Sequence, residues 1–228
     1  NNSCGSHSLV YGSTRDHLLE ASVILSNGEE IVLRGMKPEE VRERMTRDSF
    51  EGRLFRKTIG MLAEYKEEII ENFPDPALRR RNSGYAIDQL LYSDYFDKKS
   101  SEHFNLCKLL AGSEGTLAFV TELKLNLVPL PPREKAVICV HCATLEEAFE
   151  GNLVALRHAP VAVELMDRNI LELSKGNIAQ NKNRFFIQGD PAAILIVELA
   201  GNTREEVDRT ADRIEEDMRA CGYGFHFP

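Results

Sequence analysis

The chain has 228 residues, 43% of them hydrophobic, enough to bury a sizeable core as one large domain or two small ones. Its 28 basic side chains against 36 acidic ones leave a net charge of −8, which argues against a nucleic-acid partner, for which a basic face is expected. No apolar run reaches membrane-spanning length and no signal peptide marks the amino end, while the five cysteines, odd in number and irregular in spacing, read as reduced thiols of a cytoplasmic compartment rather than a disulfide framework.

The chain opens with Asn1-Asn2-Ser3-Cys4-Gly5, a run of small and amide side chains, followed by the Tyr11-Gly12 step and a helical turn begun around Asp16. Ala21–Leu25 and Glu30–Leu33 flank Ser26-Asn27-Gly28-Glu29, an Asn-Gly hairpin. Residues 34–108 read as a helical insertion. Pro38 stands at a plausible first helical position with Glu39 and Glu40 behind it. From Leu54 to Ile70 apolar residues recur at helical spacing, predicting one long helix that Asn72-Phe73-Pro74 ends. Arg79, Arg80 and Arg81 could attract a phosphate or an acidic substrate, although three basic residues beside a loop are more often a solvated surface. Tyr92–Ser101 reads as a mobile polar loop lying over a site mouth.

In Gly112-Ser113-Glu114-Gly115-Thr116 two glycines bracket a Ser-Glu pair, so the backbone can turn tightly and approach a ligand without a Cβ in the way. Unhindered amides beside a hydroxyl and a carboxylate suit the phosphate and ribose of a dinucleotide. Leu117–Thr121 then predicts a strand.

The prolines of Val128-Pro129-Leu130-Pro131-Pro132 cannot continue a central strand, and the domain boundary is placed there, after residue 130. Residues 135–142 form a strand whose Cys139-Val140-His141-Cys142 has metal-site spacing, but alternating faces favour ordinary strand packing. Thr144-Leu145-Glu146-Glu147 is a capping box opening a helix to about Arg157, and Thr203-Arg204-Glu205-Glu206 opens another to about Ala220, stopped by Gly222. Strands at Val161–Met166 and Ala192–Leu199 complete a twofold β-α-β repeat of the ferredoxin-like kind.

The ordered set of Asn-rich turn, Tyr11-Gly12-Ser13-Thr14, Asn-Gly hairpin, Asn82-Ser83-Gly84-Tyr85-Ala86-Ile87-Asp88 and Gly112–Leu117 resembles the flavin-binding domain of the vanillyl-alcohol oxidase or PCMH superfamily, in its FAD-dependent D-2-hydroxyacid dehydrogenase branch. That branch includes glycolate oxidase subunits, D-lactate dehydrogenases and D-2-hydroxyglutarate dehydrogenases. The resemblance covers residues 1–33, 79–130 and, more loosely, 131–228. It implies an α+β fold in which residues 1–130 are the second half of a PCMH-type FAD-binding domain and 131–228 a ferredoxin-like (β-α-β)2 portion of the substrate cap domain, where a stretch like Glu164-Leu165-Met166-Asp167 recurs.

Carried over by motif, Asn1, Asn2, Ser3, Cys4 and Gly5 contact the FAD pyrophosphate or ring edge, and Glu114, Gly115, Thr116, Leu117 and Val120 line the adenosine side through backbone groups. Asn82 and Tyr85, with Gly84 and Asp88, match a motif near the cofactor. Ala118 stands where relatives commonly have Gly, a tolerable change if only backbone is used. His7, the one histidine close to the turn, reads as a polar loop residue more readily than as a catalytic one. The Pro-Gly-Gly-type pyrophosphate loop and the Gly-His-x-Gly-Asp-Gly-Asn-x-His-like segment of the family have no counterpart here, so no catalytic or metal residue is assigned, and the chain is expected to be an inactive middle piece of a longer enzyme. Such an enzyme oxidises a D-2-hydroxyacid by hydride transfer to flavin and passes the electrons to a separate acceptor, an iron–sulfur domain or a quinone, in the cytoplasm or peripheral to a membrane. Two other readings are a flavin-containing reductase of the same fold, like the cell-wall enolpyruvyl reductase, and a non-enzymatic ferredoxin-like module for ligand binding or dimerisation.

Overall fold

The computed structural model describes residues 2–78 and 84–228, so Asn1, Arg79, Arg80, Arg81 and Asn82, all singled out above, lie outside the described residues. Contacts divide the chain into two units, one of Asn1–Gly5 with Tyr11–Val128 and one of Ser6–Val10 with Pro129–Pro228.

The elements run α1 (Ser8–Tyr11), α2 (Thr14–His17), β1 (Leu18–Ile24), β2 (Glu30–Arg34), α3 (Pro38–Thr46), α4 (Phe50–Glu64), α5 (Lys66–Asn72), α6 (Asp88–Leu91), α7 (Cys107–Leu110) and β3 (Phe119–Leu125). In the first unit β2, β1 and β3 form an antiparallel sheet in that order, with Val23 opposite Ile31 and Ala21 opposite Leu33. The hairpin turns as its Asn-Gly sequence predicts: the Gly28 N–H donates to Leu25 O at 2.9 Å and Gly28 takes φ +84°, which spares it the strain a Cβ would bring. Leu18, Ala21, Val23, Ile31 and Leu33 pack with Val41, Phe55, Ile59 and Leu62 from the helices into one core.

Three expectations are corrected in this unit. The single long helix is two, because Tyr65 leaves helical geometry at φ −103°, ψ 18°; the first begins at Phe50, where Ser49 Oγ accepts from the Gly52 N–H at 3.1 Å. Tyr92–Ser101 is a polar surface loop only in part: Asp97, Lys98, Lys99 and Ser101 are exposed, whereas its first half packs inward. Ser93 is buried, the Asp94 N–H donates to Glu102 O at 2.7 Å, and the Tyr95 and Phe96 rings lie 6.0 and 6.4 Å from that of fully buried Phe104. The strand after the glycine turn begins at Phe119 rather than Leu117, since pairing with β1 starts at Ile24 opposite Phe119.

The second unit contains β4 (Glu134–Cys142), α8 (Leu145–Leu156), β5 (Ala162–Asp167), α9 (Arg168–Lys175), α10 (Ile178–Asn181), a 3-10 turn at Lys182–Arg184, β6 (Ala193–Gly201) and α11 (Arg204–Ala220). Its sheet is antiparallel in the order β4-β6-β5. Ile138, Val140, Leu195, Val197 and Leu199 meet Ala148, Val154, Val207, Ile214 and Met218 of α8 and α11, so both helices cover the same face. On the free edge of β4 the His141 N–H donates to His226 O at 2.9 Å and the Phe225 N–H to His141 O at 2.9 Å, so the chain after α11 returns beside β4 as a ferredoxin-like order requires. Of the two expected capping boxes the first forms in full, Thr144 Oγ1 accepting from the Glu147 N–H at 3.0 Å and the Glu147 carboxylate from the Thr144 N–H at 3.4 Å. At the second, Thr203 Oγ1 accepts from the Glu206 N–H at 3.2 Å, but the Glu206 carboxylate accepts from the Asn202 N–H at 2.9 Å, one residue before the cap. The unit is thus α+β.

Candidate functional site

The amino-terminal turn and the glycine turn meet on Arg15, a residue that sequence reasoning passed over. Only 5% of it is exposed. Its Nε donates to Lys108 O at 2.8 Å and its Nη2 to Ala111 O at 2.9 Å, taking up carbonyls at the end of α7 where a cation is electrostatically favoured. The Arg15 N–H donates to Asn2 Oδ1 at 2.8 Å. A Cβ on Gly112 would lie 3.1 Å from Arg15 Nη2 and 3.4 Å from Asn2 Cβ, so the glycine, at φ +94°, is what lets the two turns approach. Gly12, at φ +78°, has the same role upstream: its Cβ would fall 2.7 Å from the Asp16 carboxylate, which accepts from the Ser13 N–H at 2.7 Å.

A third motif joins at Thr116. The Tyr85 hydroxyl and Thr116 Oγ1 lie 2.6 Å apart, and the Thr116 N–H donates to Ser113 O at 3.0 Å to close the turn. Glu114 has φ +51° and Gly115 φ +80°, so the backbone between Gly112 and Thr116 runs through left-handed conformations. Successive amides in such a turn converge on one side, which is how backbone binds anions. Glu114, Gly115, Thr116, Leu117 and Val120 are all exposed, and nothing stands within 4 Å of where a Gly115 Cβ would be.

Of the expected site residues, Asn2 is tied to Arg15, and Ser3 gives its carbonyl to the Thr14 N–H at 3.3 Å. Cys4 and Gly5 are exposed beside them. Tyr85, at 44% exposure, stands at the glycine turn, whereas Asp88 of the same motif is buried at the start of α6. His7 belongs to the second unit. Its Nε2 lies 2.9 Å from Glu198 Oε2; burial alone would push that carboxyl up, but the contacts with His7 and Lys135 hold it below the usual range. The C-x-x-C pair behaves as strand packing: burial pushes Cys142 up to about 12 and raises Cys139, and His141 between them bonds to backbone groups. Among the described residues no helix is long and apolar enough to cross a membrane.

Residues 131–224 match the family described as FAD linked oxidases, C-terminal domain. The chain is 32% identical over 217 residues, 90% of its length, to a D-2-hydroxyglutarate dehydrogenase of Pantoea ananatis, and 32% identical over 214 residues to one of Haemophilus influenzae. A D-lactate dehydrogenase of Anaerostipes hadrus is 27% identical over 54% of this chain and 26% of its own length. The chain spans 20% of the length of the two D-2-hydroxyglutarate dehydrogenases.

Proposed function

We propose that this chain is a section of an FAD-dependent dehydrogenase of D-2-hydroxyacids, with D-2-hydroxyglutarate the first substrate to test. The observation that carries the reading is the convergence of three sequence-distant turns, at Asn2, Tyr85 and Gly112–Thr116, through Arg15 and the Tyr85–Thr116 contact. The relatives that align along 90% of the chain are D-2-hydroxyglutarate dehydrogenases, and the D-lactate dehydrogenase aligns over 54%, which orders the substrates.

The open side of the turn fits the cofactor. The space beside Gly115 admits a ligand where any side chain would intrude, and the amides of exposed Glu114 and Gly115 supply anion donors, the Thr116 N–H being taken by Ser113 O. The Asn2–Gly5 turn would hold its other edge. When bound, FAD supplies the hydride acceptor for the substrate α-carbon. The contribution of this chain's own residues is then narrower, since Arg15 fixes the separation of the two turns, Gly112 permits it, and Thr116 with Tyr85 sets the face presented to the ligand. The reading includes a separate electron acceptor, an iron–sulfur domain or a quinone, and a cytoplasmic or membrane-peripheral setting.

The test is the visible spectrum of the whole protein before and after adding D-2-hydroxyglutarate, D-lactate and glycolate separately. A flavin band bleached first by D-2-hydroxyglutarate is expected. A protein without flavin overturns the proposal, and a flavin bleached only by reduced nicotinamide replaces it with a reductase.

A further inference from the structure

One helix of the second unit carries an apolar face that its own fold leaves in water. On α8 the buried residues Ala148, Gly151, Val154 and Ala155 face the sheet, closely enough that a Cβ on Gly151 would lie 3.4 Å from both Leu195 Cδ1 and Met218 Sδ. Leu145, Phe149, Leu153 and Leu156 point elsewhere and are 37%, 55%, 56% and 42% exposed. At 100° per residue these four fall within an arc of about 80°, a continuous stripe along a helix about 18 Å long. A surface helix of a globular protein normally turns a polar face outward, so the stripe needs an occupant.

The order of residues along the stripe indicates which. Spacings of four, four and three read nearly the same from either end. Laid antiparallel on itself, the helix sets Leu145 of one copy against Leu156 of the other and Phe149 against Leu153. Charge follows the same symmetry. Exposed Glu146 and Glu150 flank the stripe in its first half and exposed Arg157 flanks the same side at its end, so antiparallel pairing brings each Glu146 to the other copy's Arg157. A twofold contact needs a patch complementary to itself, and a partner of another kind would impose no such order.

We propose that α8 is a self-association surface through which two copies of this chain pair antiparallel about a twofold axis near Glu150. The apolar stripe amounts to roughly 400 Å² per copy, about half the ~800 Å² per partner of a standard interface, so the dimer is weak and reversible.

Sedimentation equilibrium of the whole protein up to about 200 μM tests this, and a monomer throughout overturns it. Phe149→Ser with Leu153→Ser should weaken the dimer at least ~10-fold while far-UV circular dichroism stays unchanged, since both side chains are exposed. Glu146→Lys alone and Arg157→Glu alone should each weaken it about 3- to 10-fold at low salt, and the two together should restore it. Glu150→Gln should strengthen it, because like charges come together near the axis. A dimer indifferent to the stripe, or a double charge reversal no better than the single ones, refutes the antiparallel register.

Discussion

Replacing Arg15 by Met keeps most of the apolar stem and removes the guanidinium. The carbonyls of Lys108 and Ala111, which accept at 2.8 and 2.9 Å in a place where only 5% of Arg15 is exposed, then lose their donors with little access to water. Each abandoned buried carbonyl costs about 1–3 kcal/mol, offset in part by the removal of a charge that had itself been desolvated, so the net loss should be about 2–4 kcal/mol in the first unit. With a urea dependence of about 1–3 kcal/mol per molar, the unfolding midpoint should fall by roughly 1–2 M. Arg15→Lys keeps the charge but not the fork, and should lose about half as much. Urea unfolding followed by tyrosine fluorescence reads both, since the protein contains no tryptophan. A midpoint for Arg15→Met within about 0.2 M of the parent, at the same slope, would show that the turns are held by something else.

Gly52→Ala should destabilise the first unit by about 1–3 kcal/mol in the same assay, because a Cβ there would fall on the Arg47 carbonyl oxygen and 3.0 Å from its carbon. Gly115→Val puts a β-branched residue at φ +80°, and in the whole protein it should abolish flavin retention; stoichiometric FAD after that change would sink the site assignment. Burial holds the fully enclosed His141 below its ordinary pKa of 6.5, outweighing its backbone bonds, with His226 adding to the depression. Its contribution is therefore complete above about pH 6.5 and is lost as pH falls toward the folded-state pKa, so the melting temperature of the parent should drop between pH 7 and 5 more than that of His141→Gln. Ellman's reagent at pH 8 should find Cys4 and Cys221, both exposed, reacting fast, while Cys107 and Cys142, pushed up to about 12 by burial, stay inert until the chain is unfolded.

What could be read in advance was local. Thr144 and Thr203 announce their helices because each cap bonds to the residue three positions later, and Gly28 announces its turn because the conformation it adopts is its own. Tyr65 breaks a helix without any such mark, as apolar spacing continues through it to buried Ile69. Tyr95 and Phe96 sit among serines, lysines and aspartates that read as a solvated loop; their burial depends on Phe104, which the sequence does not announce as a neighbour. Arg15 was illegible for a stronger reason. Both carbonyls it serves lie more than 90 positions downstream, and next to a run of small residues a lone arginine carries no period or spacing from which burial follows.

The same geometry explains why the cradle depends on so few side chains. A turn that presents the Glu114 and Gly115 amides to a ligand cannot spend those two on its own stability, and here Glu114 even occupies a left-handed conformation that costs a non-glycine residue free energy. Among the described residues the strand that follows pairs with β1 alone, and all seven of its residues are exposed, so that side adds little packing. The turn's position must therefore be set from the other side, by Ser113 O closing on the Thr116 N–H, by Tyr85 on the Thr116 hydroxyl, and by Arg15 through Ala111 and Asn2. Of these, only Arg15 joins both turns. Loosening it changes the distance between the groups meant for the cofactor's two edges while β1, β2 and their helices keep their own core, so flavin affinity should fall at urea concentrations where the sheet is still intact.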